Sequence, residues 1–430
     1  MADPRASVII LGWGGEPYIA DCLAALRRQS YRAVEVIVVD NGSPDGTAEI
    51  VERDFSEVRL IRTEQNLGVA GGNNVGLRAA QGELCILINA DVEAHPGWLS
   101  HLVGAMEADP RIGIAGAKLL YPDGTIQFAG GRIDPPRGYP SHLGRHEVDR
   151  GQFDTATDVE FVTGASLAIR RSILDRIGYE DERFFPIDLE DVDMSYRARA
   201  AGFRVVLAPQ AVATHHESST ARAQDLGRAL SLEAGRVRFV CKYWPAARLR
   251  GEFLPAESDF LGRGEARNRA LLRWAYLKAL REIQDLVDWR QRLGVGDRAE
   301  SLPVLTEVLS QLLQDCLPAG ISSPADERAG QILDAWFAPE NERPDLLLSL
   351  YRLNAHVEPH QPIAWPDWPP GLWSKARAAL QKLTRRLLRW YIDPIVEQQN
   401  ALNAAYLHAL EALAQEVALL RQQGTGRGEG

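Results

Sequence analysis

The sequence predicts an α/β fold: a mixed, mainly parallel sheet flanked by helices, followed by a mostly α-helical C-terminal region. Three observations predict it. Apolar runs without polar alternation, such as Leu84-Cys85-Ile86-Leu87-Ile88, alternate with short helical patterns, as in βαβ units. After Asp91 the pattern changes, and Asp123-Gly124 reads as a hairpin turn into Ile126-Gln127-Phe128. From about Leu226 onward helical periodicity dominates.

The elements follow in order. Val8 to Leu11 is a short apolar strand that runs into Gly12-Trp13-Gly14-Gly15. A helix carries Ile19, Cys22, Leu23 and Leu26 on one face. Val34 to Val39 is a strand ended by Asp40-Asn41-Gly42-Ser43. Thr47 to Arg53 is helical and Val58 to Arg62 is a third strand. Asn66 to Asn74 reads as a Gly/Asn loop that opens a helix ending near Ala80, and Leu84 to Ile88 is the fourth strand. Beyond it lie a helix over Trp98 to Ala108, a strand over Ile112 to Leu120, and a loop-rich stretch from Pro135 to Val148 expected to be mobile over a site. Val159 to Ile169 contains a strand. Helices over Arg171 to Ile177 and Ser195 to Ala201 each end at a glycine. Val205 to Pro209 and Val212 to Thr214 are strands leading to His215-His216.

Composition excludes some classes. The chain has 430 residues, 45% hydrophobic and 25% charged, with a formal net charge of -10, so no general attraction to nucleic acid is expected. Cys22, Cys85, Cys241 and Cys316 are scattered without metal-ligand spacing, which predicts free thiols and a reducing compartment. Met1 to Ser7 is too short and polar for a signal peptide, and no run approaches the roughly 20 apolar residues of a membrane span. The expected location is cytoplasmic, or peripheral at the inner face of the cytoplasmic membrane.

The organisation expected is a catalytic domain over 1–225, a helical extension over 226–354, a Pro-rich linker over 355–370, helices over 371–423 and a disordered tail over 424–430. Glu265 to Leu293 and Leu302 to Leu317 are amphipathic. Leu372, Trp373, Ala376, Leu380, Leu383, Leu387 and Tyr391 form an apolar stripe beside a basic face of lysines and arginines. Such a helix suits an anionic membrane surface through 371–392, or packing on the acidic bulk of the protein. Ile395 to Arg421 is a further helix.

Several motifs bear on chemistry. Asp40-Asn41-Gly42-Ser43 suits a nucleotide base, with Asp40 accepting from a ring N–H, but taken alone an Asx-type turn explains it more simply. Asn66-Leu67-Gly68-Val69-Ala70-Gly71-Gly72-Asn73-Asn74 suits a diphosphate approached by backbone, or a helix start rich in small residues. Asn89-Ala90-Asp91 ends a buried strand, where open α/β sheets bind ligands, and offers one carboxylate to a divalent cation or to a helix cap. Glu190-Asp191-Val192-Asp193 packs three carboxylates into four residues, a candidate for a general base, or a helix first turn stabilised by the dipole. His215 could complete a metal shell, or belong to a surface pair.

Taken in order, these segments resemble the family 2 glycosyltransferases, inverting enzymes of the glycosyltransferase A fold. The resemblance runs through Ser7-Val8-Ile9-Ile10, Val38 to Ser43, Asp45-Gly46-Thr47, Asn66-Leu67-Gly68, Asn74-Val75-Gly76, Gly82-Glu83 and Asn89-Ala90-Asp91. It continues through Gly164-Ala165, Arg170-Arg171, Asp181 to Phe185, Glu190 to Asp193, Gly202-Phe203 and His215. It covers about Ser7 to Ser219 and is most similar to the rhamnosyl- and galactofuranosyltransferase-like branch.

The resemblance implies a nucleoside-diphosphate sugar donor, UDP- or dTDP-linked, with Mn2+ or Mg2+ as cofactor and a glycan or lipid-linked acceptor in surface polysaccharide synthesis. It implies Asp191 as the catalytic base, with Glu190 and Asp193 in support on the acceptor side. It implies Asp91 and His215 as metal ligands. Leu11, Trp13, Asp40, Asn66, Gly68, Asn74, Asn89 and Ala90 would bind the donor. The chain departs from the family pattern at Gly12-Trp13-Gly14, at Asn73 where many members carry Arg, and at Asn89, which replaces the first Asp of a DxD motif. Two other functions compete: a sugar nucleotidyltransferase, in which Glu190-Asp191 would lack a role, and a degenerate transferase-like scaffold, against which Asp91, Asp191 and His215 argue.

Overall fold

The computed structural model describes residues 5–217, 226–263 and 266–316. Strands β1 (Ala6–Gly12), β2 (Val34–Asp40), β3 (Arg59–Arg62) and β4 (Leu84–Asn89) alternate with helices α1 (Ile19–Arg27), α2 (Thr47–Asp54) and α3 (Gly68–Ala79). β1 lies between β2 and β4, parallel to both, and β3 extends β2. The apolar runs of β1 and β4 are buried, as strands covered on both faces require.

The segment expected as a loop over Asn66 to Asn74 is mostly helix, because α3 begins at Gly68. Poor local propensity yields here to close packing. A Cβ on Gly72 would stand 2.3 Å from Leu11 Cδ1, and one on Gly76 would stand 2.3 Å from Ile9 Cγ2. Small residues let the helix lie directly on β1.

The second half of the sheet is mixed. It contains β5 (Val92–Ala94), α4 (Trp98–Ala108), β6 (Ile112–Leu120), β7 (Ile126–Phe128), the hairpin β8 (Gly131–Asp134) and β9 (Tyr139–His142), β10 (Thr157–Asp158), β11 (Ser166–Arg170), α5 (Arg171–Ile177), α6 (Glu190–Ala200) and β12 (Arg204–His215). The main sheet runs β10-β12-β6-β11-β4-β1-β2-β3, with β5 joined to β12 and β7 to β6. β11 is antiparallel to β4 and β6, and Trp98 Nε1 donates to its Ser166 Oγ at 3.0 Å, seating α4.

Three expectations need correction. The two strands separated at Pro209 are one strand, β12, with a register shift between Ala208 and Val212. The helix expected from Ser195 starts at Glu190, so the acidic cluster is its first turn. The stretch Pro135 to Val148 is not a free loop: it completes the β8–β9 hairpin, and Leu143 and His146 amides donate to Gly130 and Ile126 carbonyls.

Helices follow: α7 (Leu226–Tyr243), α8 (Ala246–Arg248), a π turn (Leu249–Phe253), α9 (Leu254–Arg263), α10 (Ala266–Arg281), α11 (Ile283–Arg292) and α12 (Arg298–Asp315). Met1–Leu317 forms one compact unit, so the boundary drawn at 225 falls inside it. Two buried ionic clusters join these helices to the sheet domain. On α7, Lys242 Nζ lies 2.6 Å from Asp193 Oδ1 and 3.1 Å from Asp181 Oδ2, and Arg238 Nη2 lies 2.7 Å from Asp181 Oδ2. Arg236 binds Glu257 of α9 through two parallel contacts of 3.0 and 3.1 Å, while Arg137 in the β8–β9 turn binds Glu257 and Tyr139 of β9 binds Glu233. The hairpin is thereby tied to the helical extension. The four cysteines are buried free thiols, and no helix among the described residues is long and apolar enough to cross a membrane. The Pro-rich linker, the basic stripe, the helix over Ile395 to Arg421 and the tail lie outside the described residues.

Candidate active site

A cavity of about 410 Å³ opens at the C-terminal ends of β1 and β4, lined among others by Leu11, Trp13, Asn89, Ala90, Asp91, Glu190, Asp191 and His215. Strand pairing explains how residues so distant in sequence meet there. β5 turns back antiparallel to the end of β12 and sets Val92 opposite His215. His215 Nε2 then lies 3.2 Å from Asp91 Oδ1, and the His216 amide donates to the Asp91 carbonyl at 3.0 Å. Asp91 is not a helix cap, since α4 is preceded by Gly97 at its N-cap.

The other ring nitrogen of His215, Nδ1, is 2.7 Å from Gln127 Oε1. An amide oxygen accepts, so Nδ1–H donates to Gln127 and Nε2 is the nitrogen turned toward Asp91. One carboxylate oxygen and one imidazole nitrogen suit a divalent cation that completes its shell with water and phosphate oxygens. No group of three or more His, Cys, Asp or Glu that could hold a metal by itself occurs among the described residues.

Across the cavity, Asp191 sits in the first turn of α6. Its Oδ2 accepts from the Gly164 amide and its Oδ1 from the Val192 amide, both at 2.7 Å. Burial raises its pKa and the two amides pull it back, which leaves it at about 6. Glu190 beside it is buried, and its Oε2 has no hydrogen-bond partner. Burial, then the charges of Asp191, Glu180 and Asp188, hold the Glu190 carboxyl well above the usual range. The backbone leading into this turn is strained: Asp188 and Leu189 have φ of 82° and 72°.

Other expected site residues lie elsewhere. Asp193 does not line the cavity. It is fully buried between Lys242, Arg197 and Tyr243, and although burial alone would raise its pKa, the Lys242 and Arg197 charges hold it low. Its visible work is to clamp α6 onto α7. Asp40 is 2% exposed, accepts from the Ser43 amide and lies 3.4 Å from Arg62 Nε, outside the cavity lining. Asn74 is buried and spends its amide on the Glu180 carbonyl and Glu182 Oε1, and Asn73 bonds Glu180. Asn66 accepts from the Gly68 amide at 2.7 Å. Gly68 has φ of +74°, and a Cβ there would stand 2.7 Å from Phe185 Cδ2. The Asn66–Asn74 segment thus meets the 180–186 loop; only Val69 of it lines the cavity.

Several lining residues were not singled out from the sequence: Gln127, Asp188, Glu217 and Arg228, and His142 and Arg145 within the stretch expected over a site. Arg228 lies on α7 and the others on strands, hairpins and loops whose composition is unremarkable. Burial depresses the His142 pKa to about 4, so this imidazole enters the site neutral.

Residues 7–178 match the sequence model described as Glycosyl transferase family 2. The chain is 32% identical over 246 residues to the N-acetylglucosaminyl-diphospho-decaprenol L-rhamnosyltransferase of Mycobacterium tuberculosis (strain CDC 1551 / Oshkosh), covering 50% of this chain and 77% of that one. It is 35% identical over 209 residues to the uncharacterized protein y4gI of Sinorhizobium fredii, spanning 46% of this chain but only 23% of that protein. Among solved structures, GalNAc-T7 with UDP, GalNAc and Mn2+ is similar at a TM-score of 0.49 and 15% identity, over 71% of this chain and 56% of that one. The chain belongs to glycosyl transferase family 2.

Proposed function

We propose that the protein is a metal-dependent inverting glycosyltransferase. It moves a sugar from a nucleoside-diphosphate sugar, UDP- or dTDP-linked, to a hydroxyl of a glycan or lipid-linked acceptor in surface polysaccharide synthesis. One observation carries the proposal: a single cavity holds the Asp91–His215 pair and the amide-held carboxylate of Asp191. A displacement with inversion needs a base on the acceptor and stabilisation of the leaving diphosphate. The name of the mycobacterial relative supports a lipid-diphosphate-linked acceptor, and a further relative is an O-antigen biosynthesis protein of Myxococcus xanthus.

Asp191 acts as the base. With a pKa of about 6 it is ionised at neutral pH yet basic enough to take a proton from a hydroxyl within hydrogen-bond reach. The Gly164 and Val192 amides fix its position. Asp91 and His215 would hold Mn2+ or Mg2+, which supplies Lewis-acid stabilisation of the departing diphosphate. Leu11, Trp13, Asn89 and Ala90 would contact the donor; Asp40, Asn66, Gly68 and Asn74 would act by shaping the walls behind it. The test is titration of purified protein with UDP- and dTDP-sugars with and without Mn2+: metal-dependent binding of at least one donor is expected, and none across the panel would refute the proposal.

A further inference from the structure

The cavity is poorly charged for an anionic ligand. Its lining carries the carboxylates of Asp91, Asp188, Asp191 and Glu217 against the guanidiniums of Arg145 and Arg228. Arg228 belongs to the base side, with Nη2 3.3 Å from Asp188 Oδ1. Arg145 belongs to the opposite side. Its Nη2 lies 3.2 Å from Glu217 Oε1, Glu217 Oε2 accepts from Gln127 Nε2 at 3.4 Å, and Gln127 Oε1 meets His215 Nδ1 at 2.7 Å. Two side chains therefore separate Arg145 from the Asp91–His215 pair.

The guanidinium is held on a firm platform. Arg145 Nε donates to Tyr121 Oη at 3.0 Å, and the Tyr121 ring stacks on His146 with planes 1° apart and centroids 4.9 Å apart. The surrounding chain is pinned, since the His146 amide donates to the Ile126 carbonyl at 2.7 Å. Neither Arg145 contact uses Nη1. The Glu217 contact is a weak one to keep: the side chains of Arg145 and Glu217 are 42% and 35% exposed, and ion pairs so open are worth about 1 kcal/mol or less. Glu217 also sits at φ +40°, a conformation disfavoured for its type.

We propose that Arg145 binds the diphosphate of the donor and that Glu217 is its placeholder, giving up the guanidinium when the diphosphate arrives. A diphosphate offers several charged oxygens to the flat fork of Arg, a stronger partner than one half-exposed carboxylate. This assignment rests on the nucleoside-diphosphate donor proposed above.

The test uses the full-length protein, with Mn2+ present, titrated with UDP and dTDP by calorimetry and with uridine by ligand-observed NMR. Arg145→Gln should weaken diphosphate binding about tenfold or more, as loss of a charge-assisted contact implies, and leave uridine binding unchanged. Arg145→Lys, which keeps the charge but not the fork, should fall between. Glu217→Gln should tighten UDP or dTDP binding, because the competitor is gone. Wild-type affinity in Arg145→Gln, an equal loss for uridine, or weaker diphosphate binding in Glu217→Gln would overturn the assignment. A wild-type protein that binds neither diphosphate would instead remove the donor reading beneath it, and the assignment with it.

Discussion

His215 Nε2 lies 3.2 Å from Asp91 Oδ1, so one point of the cavity joins the end of β4 to the end of β12. That contact depends on a third residue. Gln127 holds Nδ1 of the same ring and so fixes which nitrogen faces Asp91. Outer partners of this kind tune metal affinity. Gln127→Leu should therefore lower Mn2+ affinity about tenfold or more while leaving the melting temperature within a few degrees. Titration of Mn2+ followed by electron paramagnetic resonance would measure it; unchanged affinity would remove Gln127 from the site.

Asp193 offers a contrast between position in sequence and position in space. It stands two residues from Asp191 yet lies in a fully buried cluster with Lys242 and Arg197. Asp193→Ala would leave buried Arg197 without its carboxylate and Lys242 with Asp181 alone, and should destabilise the fold by roughly 3–5 kcal/mol, read by denaturant unfolding. The pH dependence has a definite sign. A carboxyl whose folded pKa is depressed contributes stability above its unfolded pKa of about 3.9 and loses it as pH falls through the folded value. The acid limb of the stability curve should thus be shallower in Asp193→Asn than in wild type. A stable, inactive Asp193→Ala protein would instead restore Asp193 to the acceptor side.

Much of this was legible in the sequence, for physical reasons. Unbroken apolar runs marked β1 and β4, and a carboxylate just past β4 marked the crevice. Family motifs then assigned Asp91, Asp191 and His215, which meet in one cavity. What was illegible depended on tertiary contact. The glycines of α3 look like loop residues until Leu11 and Ile9 are seen against them. The acidic turn of α6 lacks apolar periodicity, so the helix seemed to start at Ser195. Asp40 and Asn74 carry motif weight, but the Asn74 amide is held by Glu180 and Glu182, and Asp40 lies beside Ser43 and Arg62 outside the cavity lining. Gln127, His142 and Arg145 belong to no motif; only the strand pairing and the hairpin bring them to His215.

The helical extension belongs to the same compact unit as the sheet, Met1–Leu317. Ending the chain after residue 225 would remove Arg238 and Lys242, leaving Asp181 without either cation and Asp193 with Arg197 alone. Such a chain should fail to fold, whereas one ending after Leu317 should unfold cooperatively and keep nucleotide binding. Circular dichroism melts of the two would decide; a folded, nucleotide-binding 1–225 fragment would contradict the role given to the ionic cluster.

Asp191 gives the account its sharpest test. Its pKa of about 6 is raised in the folded state, so protons are retained as pH falls and the base is lost: kcat/KM should drop below about pH 6 and level off above it. The same shift means that the folded state favours the neutral form. Its contribution to stability is full below the unfolded pKa of about 3.9 and is lost as pH rises through about 6. Asp191→Asn, neutral at every pH, should therefore be no less stable than wild type at pH 7.

The most direct measurement compares donor binding and sugar transfer in Asp191→Asn and wild type, in one preparation, with Mn2+ and the donor that the wild type uses. The predicted result is donor affinity within about twofold of wild type and transfer slowed by about 10²–10⁴-fold, the range for loss of a general base. Transfer at the wild-type rate would contradict Asp191 as the base and with it the central claim.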